Sequence, residues 1–552
     1  MSPPGGRRTV LGGVLAGAAL IAGLTVLARV TGFGRILVFS QSLGGANCLS
    51  DVYSSANTVP NIIFEIVAGG VLASAVVPLL ARDVADGDPR ADRTASALLT
   101  WAVLLLVPVA VVVALAAEPL AAAALGDKAG GCAGAVDVAA SMLRVFAPQV
   151  VLYGVGIVLT GVLQAHRRFA GPALAPLLSS LAVIGAYVLY GVLADGHRGS
   201  LAALTTAEEL TLSLGTTLGV VVLTVPLLLW LRPTGLRLRP RLRFDPEMLT
   251  KVRRLAAAGL GVLVAQQASV AVALHLSNDG VPAGYNTTLL YAQTVYLLPW
   301  AVLAVPVATA VYPRLAAAGD SDDRAGYDTA LSAALRTVAL LSLLGSALLV
   351  ATAPQVARVF LSSTGSAVGP DVLAAAIVGF APGLLGYGLV ALLTRALFAV
   401  GASRSATVAT AAGWLAVVAL DVAFAVALPA EQRVSVLAWG NTLGMMLAGL
   451  LLVAVTVRLR GREAVTRLGR TLLVGVVAAL AAGVAGATVA RPDWGRGLGA
   501  LVGQGMLVSG TVLVVFSAVA ALGAREELRA LARRLRRREP DRRGQDEGTT
   551  RV

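Results

Sequence analysis

The sequence predicts an all-α polytopic membrane protein of about fourteen transmembrane helices: two six-helix lobes related as parallel repeats, plus two C-terminal helices. Three observations carry this. The 552 residues are 57% hydrophobic and 13% charged, with a mean hydropathy of +0.81, whereas a soluble globular chain carries about 25% charged residues. Fourteen apolar runs lie near 11–40, 51–80, 95–117, 138–164, 172–194, 210–231, 255–276, 286–313, 329–352, 371–400, 405–428, 434–457, 471–490 and 498–522, each near the roughly 20 residues needed to cross the hydrocarbon. Finally, FAPQVVLYGVGIVLTGVLQA at 146–165 and FAPGLLGYGLVALLTRALFA at 380–399 agree at nine positions, at a constant offset of 234.

Two unrelated apolar helices share Leu and Ala by chance, but rarely an FAP start, a YG pair and an LT pair in register. Such weak internal repeats mark transporter folds built from two halves. The copies fall in spans four and ten. An even number of spans separates them, so both cross in the same direction. A shorter echo, VVPLLA at 76–81 and VYPRLA at 311–316, ends spans two and eight at an offset of 235. The predicted organisation is an N-lobe over 1–231, a basic cytoplasmic linker over 232–254, a C-lobe over 255–457, extra helices over 471–522 and a basic tail over 523–552. No loop is long enough to fold as a separate soluble domain. Alternating access is then rocking of one lobe against the other.

Positive charge sets the orientation. With an inside N-terminus, 33 of the 44 Lys and Arg fall on cytoplasmic segments and six on the opposite loops, a bias that satisfies the positive-inside rule along the chain. Both termini are therefore expected in the cytoplasm of a multi-pass plasma-membrane protein. The first apolar run extends too far for a cleaved signal peptide and is read as an uncleaved span. The net charge of +14 concentrates in the linker RPTGLRLRPRLRF and in the tail, which suit anionic inner-leaflet lipids. Nucleic acid is the competing partner for a basic tail, but no aromatic interleaving supports it.

Span one carries Arg29 and Arg35 in ARVTGFGR. On an unbroken helix, six residues put them about 9 Å and 120° apart. Gly32 and Gly34 between them are expected to break the helix and turn both guanidiniums toward one cavity; snorkelling to the nearer interface is the alternative. In span two Asp51, Ser55, Thr58, Asn61 and Glu65 form one polar stripe, which meets water or protein rather than lipid. Helix–helix hydrogen bonding explains Ser55 and Thr58 alone; Glu65 argues for a wet cavity.

Elsewhere the signals are thinner. Arg144 and Arg395 lie in or near the repeated spans. Asp421 in span eleven and Asn441 in span twelve make a weak cation site, since hard cations prefer more oxygen ligands; a structural hydrogen bond explains the pair equally well. His275, near the outer end of span seven, suits packing or an interface better than proton coupling. Cys48 and Cys132 both fall on the outer face, where a disulfide is permitted and two free thiols are as reasonable. No phosphate-binding loop, metal cluster or nucleophile–base constellation is present in the sequence. An integral-membrane glycosyltransferase would need a catalytic carboxylate and usually a large external loop, and the external loops here are short.

Residues 28–80 resemble the first two spans of the MurJ (MviN) lipid II flippase family, within the multidrug/oligosaccharidyl-lipid/polysaccharide exporter superfamily. The matching residues are Arg29, Gly32, Phe33, Arg35, Asp51, Pro60, Asn61, Gly70 and Pro78. Span count and two-lobe layout extend the likeness over nearly the whole chain. The resemblance implies a non-enzymatic flippase of peptidoglycan synthesis that moves a polyprenyl-pyrophosphate-linked glycan to the outer leaflet. No cofactor is implied; sodium, protons or membrane potential would drive transport, alongside cell-wall synthesis proteins. It assigns the pyrophosphate to Arg29 and Arg35, with Asp51, Asn61 and Glu65 tuning or gating the cavity. The chain departs from the family pattern at Ile36, Phe64, Glu65 and Gly69. In span eight Gln293 and Thr294 stand where the family has an acid–arginine pair, which leaves Gln293 as the substrate-facing candidate there. A paralogue exporting another lipid-linked glycan, or a non-transporting cell-wall support protein, is the alternative that these departures imply.

Overall fold

The computed structural model describes residues 6–66, 80, 84, 86, 88, 90–127, 131–236, 238–243, 246–321, 323–361, 365–490 and 497–523, without the side chains of 6–22 and 246–259. Gly69, Gly70, Pro78, most of the 76–81 echo and the tail beyond 523 lie outside the described residues. Among the described residues the regular structure is helical, with no strand. Eleven helices are long and apolar enough to cross a membrane, or twelve when a pair bent by 42° counts as one span. Spans two and seven complete the fourteen. Span two is described only from Cys48 to Phe64 as a regular helix, and Leu260–Leu276 of span seven is a shorter apolar helix.

Helices of the first six spans pack most extensively on one another, as do those of spans seven to twelve, while spans thirteen (Leu468–Val489) and fourteen (Leu498–Gly523) pack on span nine (Arg324–Phe360). The repeated stretch marks a break in both lobes. Span four is Ala135–Phe146 followed by Gln149–Ala165, and span ten is Pro370–Phe380 followed by Gly383–Ala399. Pro148 and Pro382 cap the second segments. Proline has no N–H to donate and its ring crowds the preceding turn, which favours a restart there, although other spans run through a proline, as at Pro108 and Pro354. Span eight is also interrupted, by a π turn at Trp300–Ala304 between Tyr285–Pro299 and Val305–Asp320.

Span one departs from expectation. It runs unbroken from Gly6 to Ser42, straight through Gly32 and Gly34. A helical glycine costs about 1 kcal/mol relative to alanine, whereas opening a helix in hydrocarbon strands backbone groups at several kcal/mol each. The helix therefore holds. Both glycines face open space, where a Cβ would meet nothing within 4 Å.

The linker is also not a free loop. Span seven begins at Pro246 rather than near 255, and the segment before it lies along span three (Arg90–Leu115). The amides of Arg239 and Arg241 donate to Ser96 Oγ at 3.1 Å and Thr100 Oγ1 at 3.0 Å, and Trp101 Nε1 donates to Leu242 O at 3.0 Å. Leu236 and Leu238 pack into the apolar cluster at this end of the N-lobe. At the opposite end Cys48 and Cys132 form a disulfide with a Cα–Cα distance of 6.0 Å, joining the start of span two to the approach to span four.

Candidate functional site

A cleft of about 730 Å3 opens between spans one, five and eight. Arg29 and Arg35 both line it, with Gly32, Phe33, Tyr153 and Thr294. The unbroken span one thus brings both guanidiniums to one cleft without a kink. Arg29 is exposed and Arg35 half-buried. Arg35 also borders a polar recess of about 260 Å3 in the N-lobe, with Tyr53, Asn57, Asn61, Tyr153 and Tyr187. In that recess Arg35 Nε and Asn57 Oδ1 are buried without protein partners. Tyr53 binds the hydroxyls of Tyr187 at 2.9 Å and Thr216 at 2.5 Å. Among the described lining residues of cleft and recess none is acidic, so the space is electropositive and suited to an anion.

Span eight is the wall between this cleft and a second cavity. Thr294 faces the cleft, whereas Gln293 lines a chamber of about 130 Å3 inside the C-lobe. Asp421 and Asn441 line the same chamber, with Gln266, Tyr296, Tyr387 and Trp414. The structure therefore unites Gln293 with Asp421 and Asn441, not with the arginines. Asp421 is 1% exposed and is the only charged group among the described lining residues. Its Oδ1, Asn441 Oδ1 and the Tyr296 hydroxyl are buried without protein partners.

Asp51 lies in neither cavity. It is fully buried, and its carboxylate accepts from the amides of Gly284 at 2.6 Å and Thr287 at 2.8 Å and from the Thr287 hydroxyl at 2.8 Å. A carboxylate on the first amides of a helix answers both their unpaired N–H groups and the helix dipole. Asp51 of the N-lobe thus caps span eight of the C-lobe. The same face carries Asn286 Nδ2 donating to Ser54 Oγ at 2.9 Å and Asn278 Nδ2 donating to Ser55 Oγ at 2.9 Å. Farther out, His275 Nδ1 lies 3.0 Å from Ala123 O, and Asp127 N donates to Asp279 Oδ1 at 2.9 Å. One apolar core, including Phe39, Tyr53, Tyr291 and Phe360, runs across both lobes beside these bonds. Together they close the bundle at its disulfide end.

Asn61 lines the recess, its amide donating to Asn57 O at 2.7 Å. Glu65 is half-buried at the end of the described part of span two and lines none of these cavities. Arg395 donates to Ala391 O at 2.6 Å within its own helix, and Arg144 is exposed. Neither reaches a cavity described here. Tyr53, Tyr153, Tyr187 and Tyr387 are site residues that polarity patterns in single spans do not mark. The signal for two of them was the YG pair of the repeat. Among the described residues no cluster of three or more His, Cys, Asp or Glu is arranged to hold a metal ion.

Two helical bundles facing each other across a polar cleft that is sealed at one end define a membrane transporter rather than an enzyme. The relatives make the class specific. A family model described as "Lipid II flippase MurJ" matches residues 41–497, and the chain belongs to that family. The lipid II flippase MurJ of Burkholderia cenocepacia is 26% identical over 397 residues, 69% of this chain and 72% of that protein. The probable lipid II flippase MurJ of Haemophilus influenzae is 25% identical over 397 residues, 68% and 74% respectively. Among solved structures, a lipid II flippase MurJ in an inward closed conformation superposes with a TM-score of 0.71 at 17% identity, covering 92% of this chain and 100% of that one. An inward-facing multidrug resistance MATE family transporter of the MOP superfamily gives 0.62 at 18% identity, covering 79% and 96%. These superpositions establish the fold.

Proposed function

We propose that this protein is a lipid II flippase that moves a polyprenyl-pyrophosphate-linked glycan from the inner to the outer leaflet by alternating access. The carrying observation is the pair Arg29 and Arg35 on one acid-free cleft, together with family membership. Guanidiniums bind phosphate oxygens through charge-assisted, often bidentate hydrogen bonds. The pyrophosphate rests against them, and Asn57 and Asn61 supply neutral donors in the adjoining recess. Asp51 acts as the gate between lobes, not as a ligand. The termini and the linker lie in the cytoplasm, as the charge bias supports, so the disulfide end faces outward. Arg239 and Arg243 are exposed on the docked linker, where anionic inner-leaflet lipids suit them. Asp421 and Asn441 form the cation-binding group of the C-lobe, through which transport is coupled.

The neutral Gln293 and Thr294 in span eight favour a second reading, a paralogue that carries a different lipid-linked glycan. Depletion of the protein in its host, with analysis of which polyprenyl-linked precursor accumulates on the inner leaflet, separates the two. Accumulation of lipid II supports the first reading; accumulation of another glycan carrier supports the second, and no accumulation removes both.

A further inference from the structure

The N-lobe recess beside Arg35 is shaped by more than positive charge. It lies among spans one, two, five and six. Its inner wall is aromatic: Phe39 sits 5.3 Å from Tyr53 and 5.2 Å from Tyr187, and the two tyrosine rings meet edge-on at 6.0 Å. The hydroxyls there form a chain with one direction. Thr216 Oγ1 donates to Leu212 O at 2.7 Å, so the Tyr53 hydroxyl donates to Thr216 at 2.5 Å and the Tyr187 hydroxyl donates to Tyr53 at 2.9 Å. Tyr187 lines the recess and is left there with acceptor capacity only, since a phenol has one proton to give. Thr58 likewise spends its hydroxyl proton on Ser54 O at 2.7 Å. Asn57 Oδ1 is a buried acceptor and Arg35 Nε a buried donor, neither with a protein partner. A buried polar atom left unpaired is costly, so the recess calls for a group that both gives and accepts hydrogen bonds. An ionised phosphate oxygen only accepts: it would answer Arg35 and set lone pairs against those of Asn57 and Tyr187.

We propose that the recess is a sugar subsite, which seats the monosaccharide joined directly to the pyrophosphate. Arg35 borders both the cleft and the recess, so one side chain spans the junction of phosphate and sugar. Its terminal nitrogens hold phosphate oxygens in the cleft, and its Nε donates to a sugar oxygen in the recess. Asn57 Oδ1 and the Tyr187 oxygen accept from hydroxyl or amide groups of the ring. A hydroxyl supplies one donor and two acceptor lone pairs, which is the mixed character that these atoms lack. The volume of about 260 Å3 equals that of roughly nine water molecules, room for one pyranose ring and not for a second. Phe39, Val183 and Val220 complete the wall and suit the C–H face of such a ring, as in pockets where a few polar groups orient a ligand on an apolar lining. The proposal rests on the lipid-linked glycan reading given above and names the part of the cargo that the N-lobe selects.

The test is equilibrium binding of two radiolabelled probes to the purified full chain in detergent at fixed ionic strength. Both are farnesyl pyrophosphates of equal charge, one capped on its terminal phosphate by a methyl group and the other by N-acetylglucosamine. The wild type should bind the sugar probe about tenfold more tightly, the scale of one or two net hydrogen bonds. Asn57→Leu, which keeps the bulk and removes the acceptor, should bring that ratio close to one. Tyr187→Phe, which keeps the ring and removes only the hydroxyl, should lower it severalfold. The ratio is the informative quantity, because a purely structural role for either residue would weaken both probes alike. A ratio near one in the wild type, or an unchanged ratio in both variants, overturns the proposal. Binding of the methyl probe with a wild-type ratio near one removes this inference alone and leaves the arginine cleft, whereas binding of neither probe removes the flippase reading as well.

Discussion

Tyr153 and Tyr387 occupy the same position in the two copies of the repeat, and each lines the polar cavity of its own lobe. Tyr153 borders the recess of Arg35, and Tyr387 borders the chamber of Asp421. The duplicated stretch therefore does more than scaffold the lobes. Its FAP start places a proline break, and its YG pair places a tyrosine on a cavity wall with a glycine next to it. A Cβ on Gly154 would come within 2.0 Å of Leu106, and one on Gly388 within 2.5 Å of Ser342, so each lobe uses the glycine for close helix packing. The two related cavities carry opposite charge, arginine in one and aspartate in the other.

The Asp51 cap on span eight predicts a gate phenotype. Asp51→Ala leaves the buried Gly284 and Thr287 amides and the Thr287 hydroxyl without this acceptor, at a cost of about 1–3 kcal/mol for each buried donor. Hydrogen exchange at residues 284–288 and 45–55, followed by mass spectrometry, should accelerate by at least about tenfold, as expected for local opening. Unchanged exchange would show that the disulfide end is closed by other contacts.

Gly284 adopts φ +90, and a Cβ there would lie 2.5 Å from Ala46 O. Gly284→Ala should lower stability by more than about 1 kcal/mol, the usual scale where alanine meets a positive φ. Gly369, with nothing within 4 Å of its would-be Cβ, should accept alanine with little change. Thermal unfolding of the two variants in detergent compares them directly; equal midpoints would contradict the tight inter-lobe seam.

The docked linker predicts protease resistance. In the wild type, the amides of Arg239 and Arg241 are tied to Ser96 and Thr100, and trypsin should cut slowly after Arg241; the Arg239 bond is resistant in any case because Pro240 follows it. Ser96→Ala with Thr100→Ala removes both acceptors and should raise cleavage within 237–243 severalfold, since proteolysis follows local opening. Equal cleavage of both proteins would mean that the apolar packing of Leu236 and Leu238 suffices.

The disulfide can be read by intact mass. Reduction of the purified protein should add two hydrogens, and Cys132→Ser should abolish that change while lowering the thermal midpoint, as loss of a native cross-link does. No mass change on reduction would exclude the bond.

Much of the architecture was legible because hydropathy and charge act locally. Fourteen apolar runs and the internal repeat follow from residue type alone, whereas the breaks at Pro148 and Pro382 do not, since Pro108, Pro176, Pro226 and Pro354 sit inside unbroken helices. Arg29 and Arg35 were legible as a pair because charged residues in an apolar span need a polar outlet. Their geometry was not, because the fate of Gly32 and Gly34 depends on backbone hydrogen bonding in hydrocarbon rather than on propensity. Asp51 belonged to a stripe whose members part company in three dimensions. Its partners lie 233 and 236 residues away, and only the meeting of two lobes shows it as a helix cap. Gln293 and Thr294 are neighbours in sequence yet face different cavities, a separation set by the orientation of span eight between the lobes.

The central claim is anion transport through the cleft of Arg29 and Arg35. Purified protein reconstituted into vesicles containing lipid II, with outer-leaflet headgroups quantified by an impermeant enzyme over time, measures it directly. The account predicts wild-type translocation and its loss by at least about tenfold in Arg35→Ala, whose half-buried guanidinium loses charge-assisted phosphate bonds, with a smaller loss in the exposed Arg29→Ala. Wild-type rates in both variants, or no translocation by the well-folded wild type, would contradict it.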